Sequence, residues 1–264
     1  MNTLRASVVL FGLVICVLLI IPAQLIMIPI GGKGAEIAPK LFFSALRRLF
    51  GVHVEVRGKP TIESPTLYVS NHISWLDIFV LGSVVRGSFV ARGDLEGWPV
   101  FGWLSTLQQT VFVDRTSRVR SGQQLDQLSE RLLDDDSLIL FPEGTSSDGT
   151  SVLPFKSSLF AVVERWKGNQ PLTVQPMSLS YTEVNNMPLT RHYRPYVGWY
   201  GDMDLPPHFW ELLKVGRIKA VIEFHKPISS TEMASRKAMS KQCQETIAAS
   251  VERHNAHYDS AEAA

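Results

Sequence analysis

The stretch Thr66-Leu-Tyr-Val-Ser-Asn-His-Ile-Ser-Trp-Leu-Asp-Ile-Phe-Val80 decides how the chain is built. Thr66–Ser70 is a short apolar run of strand formers, and the apolar residues from Asp77 onward begin a helical pattern, so the segment predicts a strand, a turn and a helix. His72 and Asp77 fall on either side of that turn. On one continuous helix, five residues at about 100° each would carry Asp77 roughly 140° away from His72. A turn instead folds the carboxylate back onto the imidazole. In that geometry the carboxylate fixes the tautomer and steadies the imidazolium, while the other ring nitrogen takes a proton from an attacking hydroxyl. The same residues also read as structure alone. Ser74 followed three positions later by Asp77 forms a capping box, with Asp77 securing the helix start and His72 a satisfied loop histidine.

A second strand-to-loop segment lies downstream. Ser137-Leu-Ile-Leu-Phe141 runs into Pro142-Glu-Gly-Thr-Ser-Ser-Asp-Gly149. Pro142 ends the strand, the glycines let backbone N–H groups approach a ligand, and the polar side chains offer hydrogen-bond partners. Further short apolar runs at 53–57, 88–91, 110–113, 172–181 and 218–225 alternate with helical patterns such as Arg118–Leu133. That order predicts an α/β fold with a central, mostly parallel sheet flanked by helices. Thr231–Tyr258 reads as a surface helix, with 259–264 a disordered tail.

The two segments together resemble the glycerolipid acyltransferase superfamily, whose members carry an N-H-x-x-x-x-D block followed by an F-P-E-G-T block. Further blocks agree: Phe89-Val-Ala-Arg92-Gly-Asp94 before Trp98-Pro99-Val-Phe101-Gly102, then Thr110-Val-Phe-Val-Asp-Arg115, then Val174-Gln-Pro176-Met. The family commonly has Lys where Arg92 stands and Gly where Thr110 stands. The resemblance covers about residues 41–226 and implies His72 as the base and Asp77 as its orienter. It implies Arg115, Glu143, Gly144, Thr145 and Lys156 as acceptor-binding residues. No cofactor or metal is implied; the acyl donor, acyl-carrier protein or acyl-CoA, is a substrate. Members acting on lysophosphatidic acid commonly carry an arginine after F-P-E-G-T, where this chain has Ser146. A hydroxyl cannot copy the planar fork with which Arg reads phosphate. The longer run F-P-E-G-T-S-S-D-G, with Trp199-Tyr-Gly-Asp-Met-Asp-Leu-Pro-Pro-His208, resembles the bacterial lyso-ornithine-lipid branch. The expected acceptor is therefore the free hydroxyl of a mono-acylated membrane lipid, lyso-ornithine lipid or 1-acylglycerol-3-phosphate.

Composition fits an anchored enzyme. Lys and Arg number 26 and Asp and Glu 25, yet only Arg5 among them falls in the first 30 residues. As a helix, Ala6–Ile30 would reach roughly 37 Å, more than the ~30 Å hydrocarbon core of a bilayer. Pro22 and Gln24 interrupt the simple span and leave a kinked, one-leaflet helix or a signal peptide as alternatives. Residues 1–35 are read as a membrane anchor and 36–258 as the acyltransferase domain. Lys33, Lys40, Arg47 and Arg48 follow the apolar run, so the positive-inside rule puts the catalytic domain on the cytoplasmic face of the inner membrane. Ile37–Phe50 has apolar residues at helical spacing and reads equally as a membrane-surface helix or a core-facing one.

The remaining features exclude more than they assert. The net charge of +1 comes without a basic stripe interleaved with aromatics, which argues against a nucleic-acid partner. Cys16 and Cys243 form no disulfide or metal pattern, and no G-x-S-x-G elbow is present, so transfer is expected to be direct. Two rival classes stay readable. One is a metal-dependent hydrolase with His72, Asp77 and Glu143 as ligands, although metal sites usually show closer clustering. The other is a lipid-binding membrane module without catalysis.

Overall fold

The structure, a computed structural model, describes residues 2–30, 33–61, 63, 65–93, 110–113 and 118–262. The chain opens with helices α1 (Thr3–Ile30) and α2 (Lys33–Leu49), then strands β1 (Val52–Arg57) and β2 (Thr66–Ser70) and helix α3 (Leu76–Gly82). Strands β3 (Ser88–Arg92) and β4 (Val111–Val113), helix α4 (Arg118–Leu133) and strand β5 (Leu138–Leu140) follow. A 3-10 turn at Ser157–Phe160 then runs into helix α5 (Ala161–Glu164). The rest comprises β6 (Thr173–Val184), β7 (Met187–Pro188), α6 (Leu205–Lys214), β8 (Ile218–Phe224), β9 (Ile228–Ser229) and α7 (Arg236–Glu262).

Strands joined by helical crossovers pair in parallel, and the centre of the sheet follows that rule. Its order is β1-β8-β6-β2-β5-β3-β4, with β7 and β9 also pairing with β6. β6, β2, β5, β3 and β4 run parallel; β1 and β8 are parallel to each other and oppose β6. Because β2 and β5 are parallel neighbours, with Val69 opposite Leu140, they leave the sheet at the same edge. The two segments singled out in the sequence therefore meet outside the carboxyl ends of adjacent strands, where ligands of open α/β sheets bind. β4 ends at Val113 opposite Arg92 at the end of β3.

Alternation along the strands fills both faces. Tyr68 and Ile139 point into one core with Phe43, Phe50 and Leu76, while Leu67, Val69, Leu138 and Leu140 point into the other with Leu132 and Cys243. The second core is covered by α4 and α7. Burial there pushes the Cys243 thiol up to about 12, which keeps it protonated and inert.

α2 is a core helix. Phe42, Phe43, Leu46 and Phe50 are buried. The Phe43 ring meets Phe79 and Phe89 edge-on, and Phe50 meets Phe79 and Trp75 in the same way. A Cβ at Gly82 would lie 2.3 Å from the Phe43 ring, so only glycine lets α3 approach α2 this closely.

α1 is long and apolar enough over Thr3–Ile26 to cross a membrane. One of its faces packs inward through Ala6, Val9, Leu13 and Val17, and the other leaves Leu4, Val8, Phe11, Ile15 and Leu18 open. Its first turn is fastened to the domain. The Arg5 guanidinium donates to the carbonyls of Phe50 at 2.9 Å and Gly216 at 3.2 Å, and also to that of Leu213. The helix continues past Pro22 to Ile30, and α2 is described from Lys33. At the other end, α7 extends to Glu262, into the segment expected to be a disordered tail. Tyr258-Asp-Ser-Ala-Glu contains neither Gly nor Pro, and Ala and Glu favour helix, so nothing stops it sooner.

Candidate active site

β2 ends at Ser70, opposite Met177, while its neighbour β6 continues to Val184. Asn71 makes the turn without losing pairing. Its side chain accepts from the Leu179 N–H at 2.8 Å and donates to the Leu179 carbonyl at 2.9 Å, acting as one more rung of the ladder. His72 follows in the turn and Asp77 sits in the first turn of α3. The fold-back expected from the spacing is present, with His72 Nδ1 lying 2.7 Å from Asp77 Oδ2. The imidazole side chain is 19 % exposed and the carboxylate is fully buried. Nδ1 is thus the protonated nitrogen facing the carboxylate. Nε2, which has no hydrogen-bond partner among the described residues, is left to take a proton.

The capping reading is half realised. Asp77 Oδ2 also accepts from the N–H groups of Ile73 at 2.6 Å and Ser74 at 3.0 Å, so the carboxylate does close the start of α3. The reciprocal bond is missing. The Ser74 hydroxyl is buried without a partner among the described residues, and α3 has no side-chain cap at its N-cap, Trp75. One carboxylate therefore both shapes the turn and orients the imidazole.

The loop after β5 holds His72 from the other side. The His72 ring stacks on Phe141 with centroids 4.3 Å apart and planes 19° from parallel. Its carbonyl accepts from Ser147 N–H at 2.9 Å and from the Ser147 hydroxyl at 3.2 Å. Its own N–H donates to Glu143 Oε1 at 2.7 Å, while Glu143 Oε2 accepts from Leu153 N–H at 2.9 Å. Glu143 is only 2 % exposed and both of its oxygens are committed to the backbone. Those two bonds fasten the loop that carries His72 to the neighbouring loop.

The other expected acceptor residues divide. Gly144, at φ +75°, and Thr145 form the open rim of the same loop, half-buried and exposed respectively. Lys156 is exposed, and its N–H donates to the Pro142 carbonyl at 2.9 Å, which keeps it beside that loop. Arg115 lies outside the described residues, as do Asp94, Trp98 and Trp103.

Ser146 is buried among the described residues. It is 9 % exposed, and its hydroxyl donates to the carbonyl of Trp199, whose N–H in turn donates to the Ile73 carbonyl at 3.0 Å. The segment around Trp199 is thereby a strap tied to both the base loop and the Glu143 loop. Its start is tied as well. Arg194 donates to Asn255 of α7 at 3.0 Å, and Asn255 donates to the carbonyls of Gly149 and Thr150 at 3.0 and 2.9 Å. Trp75 packs against Phe50, Phe79 and Phe209 and donates its indole N–H to His208 at 3.0 Å.

Burial pushes the Glu143 carboxyl up to about 7, against its ordinary 4.5 and against the two backbone donors that favour the anion. The folded protein therefore holds a proton that the unfolded chain releases, and stability falls as pH rises from 4.5 to about 7. Thermal unfolding followed across that window should show this slope in the native protein and a flatter profile in Glu143→Gln, whose amide cannot titrate. Equal slopes in both would place the titrating group elsewhere.

A family model described as Acyltransferase matches residues 53–180. Over 251 residues the chain is 37 % identical to the lyso-ornithine lipid O-acyltransferase of Brucella abortus, covering 94 % of each chain. It is 31 % identical over 198 residues to the 1-acyl-sn-glycerol-3-phosphate acyltransferase of Neisseria gonorrhoeae, covering 74 % of this chain and 73 % of that one. The crystal structure of a 1-acyl-sn-glycerophosphate acyltransferase from Thermotoga maritima has the same fold, with a TM-score of 0.69 at 22 % identity over 96 % of this chain and 95 % of that one.

Proposed function

The chain belongs to the acyltransferase family, and on that premise we propose that it moves a fatty acyl group from a thioester, acyl-carrier protein or acyl-CoA, to the free hydroxyl of lyso-ornithine lipid. The observation that carries the chemistry is the 2.7 Å contact between His72 Nδ1 and the buried Asp77 carboxylate. Nε2 of His72 takes the proton of the acceptor hydroxyl as its oxygen attacks the thioester carbonyl. Asp77 stabilises the imidazolium while the tetrahedral adduct forms. Collapse of the adduct expels the thiolate, which recovers the proton from His72, and the acyl group remains on oxygen.

Two observations favour lyso-ornithine lipid over a phosphate-bearing acceptor. The Brucella abortus relative that matches almost end to end carries that activity in its name. Ser146 stands where a phosphate-reading arginine is common, and its hydroxyl is occupied by the Trp199 carbonyl. The open apolar face of α1 supports membrane attachment, and the basic residues that follow it favour the cytoplasmic side of the inner membrane.

Purified protein in detergent, with one labelled donor and both lysolipids as acceptors, tests the reading. Lyso-ornithine lipid should be acylated at least as well as lysophosphatidic acid; a strong native preference for lysophosphatidic acid would overturn the acceptor assignment. The buried contact of Ser146 also revises what a cation there can do. A long guanidinium at 146 has to displace the Trp199 strap, so Ser146→Arg should lower transfer to both acceptors by roughly tenfold or more. A selective gain for lysophosphatidic acid would show that the side chain at 146 faces the head group after all.

A further inference from the structure

One donor to the Asp77 carboxylate comes from a strand that carries none of the family's acidic or histidine motifs. Tyr181, on β6, donates its hydroxyl to Asp77 Oδ1 at 2.8 Å. The other oxygen already takes His72 Nδ1 and the N–H groups of Ile73 and Ser74. β6 reaches this place because it outruns its parallel neighbour. Ser70, the last residue of β2, pairs with Met177, and β6 continues beneath the base loop to a register shift between Tyr181 and Glu183. Such irregularities beside a site re-aim side chains.

Three donors hold Oδ2, but with no donor on the far side the buried Oδ1 would be unsatisfied and that side of the carboxylate unanchored. The Tyr181 hydroxyl supplies that anchor. Burial holds the phenol well above its ordinary range, and the Asp77 charge beside it adds to the effect, so the group stays a neutral donor. Tyr181 is 3 % exposed and cannot meet either substrate directly.

We propose that Tyr181 is a positioning residue for the base, locking the Asp77 carboxylate in the rotation that keeps Oδ2 on His72 Nδ1. The assignment rests on His72 acting as the base in acyl transfer.

Tyr181→Phe tests it, because the ring and its packing remain and only the hydroxyl goes. The expected result is a fall in kcat of roughly tenfold, with KM for donor and acceptor changed by less than about twofold. In an Asp77→Asn background the same substitution should change kcat by less than about twofold, because the group it positions has already been lost. A kcat at the native level, a loss carried by KM, or an equal loss in both backgrounds would overturn the proposal. His72→Ala, assayed beside these variants, separates the two ideas. If it stays active, the base reading and the role of Tyr181 fail together; if it is inactive while Tyr181→Phe behaves as native, only the role of Tyr181 fails.

Discussion

His72→Ala should lower kcat by about 10²–10⁴-fold, equivalent to roughly 3–5 kcal/mol of barrier, and leave the fold and the membrane attachment in place. The loss is large because no other described group is placed to take the proton. Glu143 is committed to two backbone donors, and Tyr181 and Asp77 are buried behind the imidazole. The fold survives because removing the imidazole takes away one of four donors to Asp77 and leaves the Ile73, Ser74 and Tyr181 contacts that shape the turn. Labelled-donor turnover and thermal unfolding of the purified variant check both halves. Retention of more than about a tenth of native kcat would remove His72 from the chemistry.

Asp77→Asn should combine a rate loss of similar order with a measurable loss of stability. Asparagine can keep its carbonyl oxygen beneath the three N–H groups only by turning its NH₂ toward Tyr181, whose hydroxyl must then rotate to accept. The imidazolium meanwhile faces a neutral amide. Hydrogen bonds to a charged, buried acceptor contribute about 1.5–3 kcal/mol, and a loss in that range is expected. If the variant instead kept most of its turnover and lost only about 1 kcal/mol, closing the start of α3 would be the whole of what Asp77 does.

The dyad was legible in the sequence because its geometry is local: a five-residue spacing across a strand-to-helix turn leaves few ways to arrange two side chains. The meeting of the two loops was legible for a related reason, since helical crossovers force parallel neighbours and hence a shared edge. The part played by Glu143 was not legible. The motif marks the residue, but whether its oxygens face a ligand or the backbone depends on the path of two loops in three dimensions. Tyr181 gave no signal at all, because its contact with Asp77 arises from the register of β6 against β2 across a hundred residues of chain. For Ser146 the sequence showed the departure from the common pattern but not the strap that occupies the hydroxyl. α2 was ambiguous for a different reason: an amphipathic face suits lipid or core equally, and only the aromatic cluster formed with Phe79 and Phe89 decides it.

The clamp that Arg5 makes on three backbone carbonyls has a mechanical consequence. A catalytic domain hung from the bilayer by a slack leash swings through many attitudes, and most of its encounters with lipid are wasted. Here α1 is held along the flank of the domain, so that the two turn as one piece. Under the membrane attachment proposed for α1, the sheet edge bearing His72 would keep one attitude toward the bilayer. An acceptor confined to that plane would then have only to diffuse sideways into the site, with much of the orientational cost of encounter met in advance by the fold.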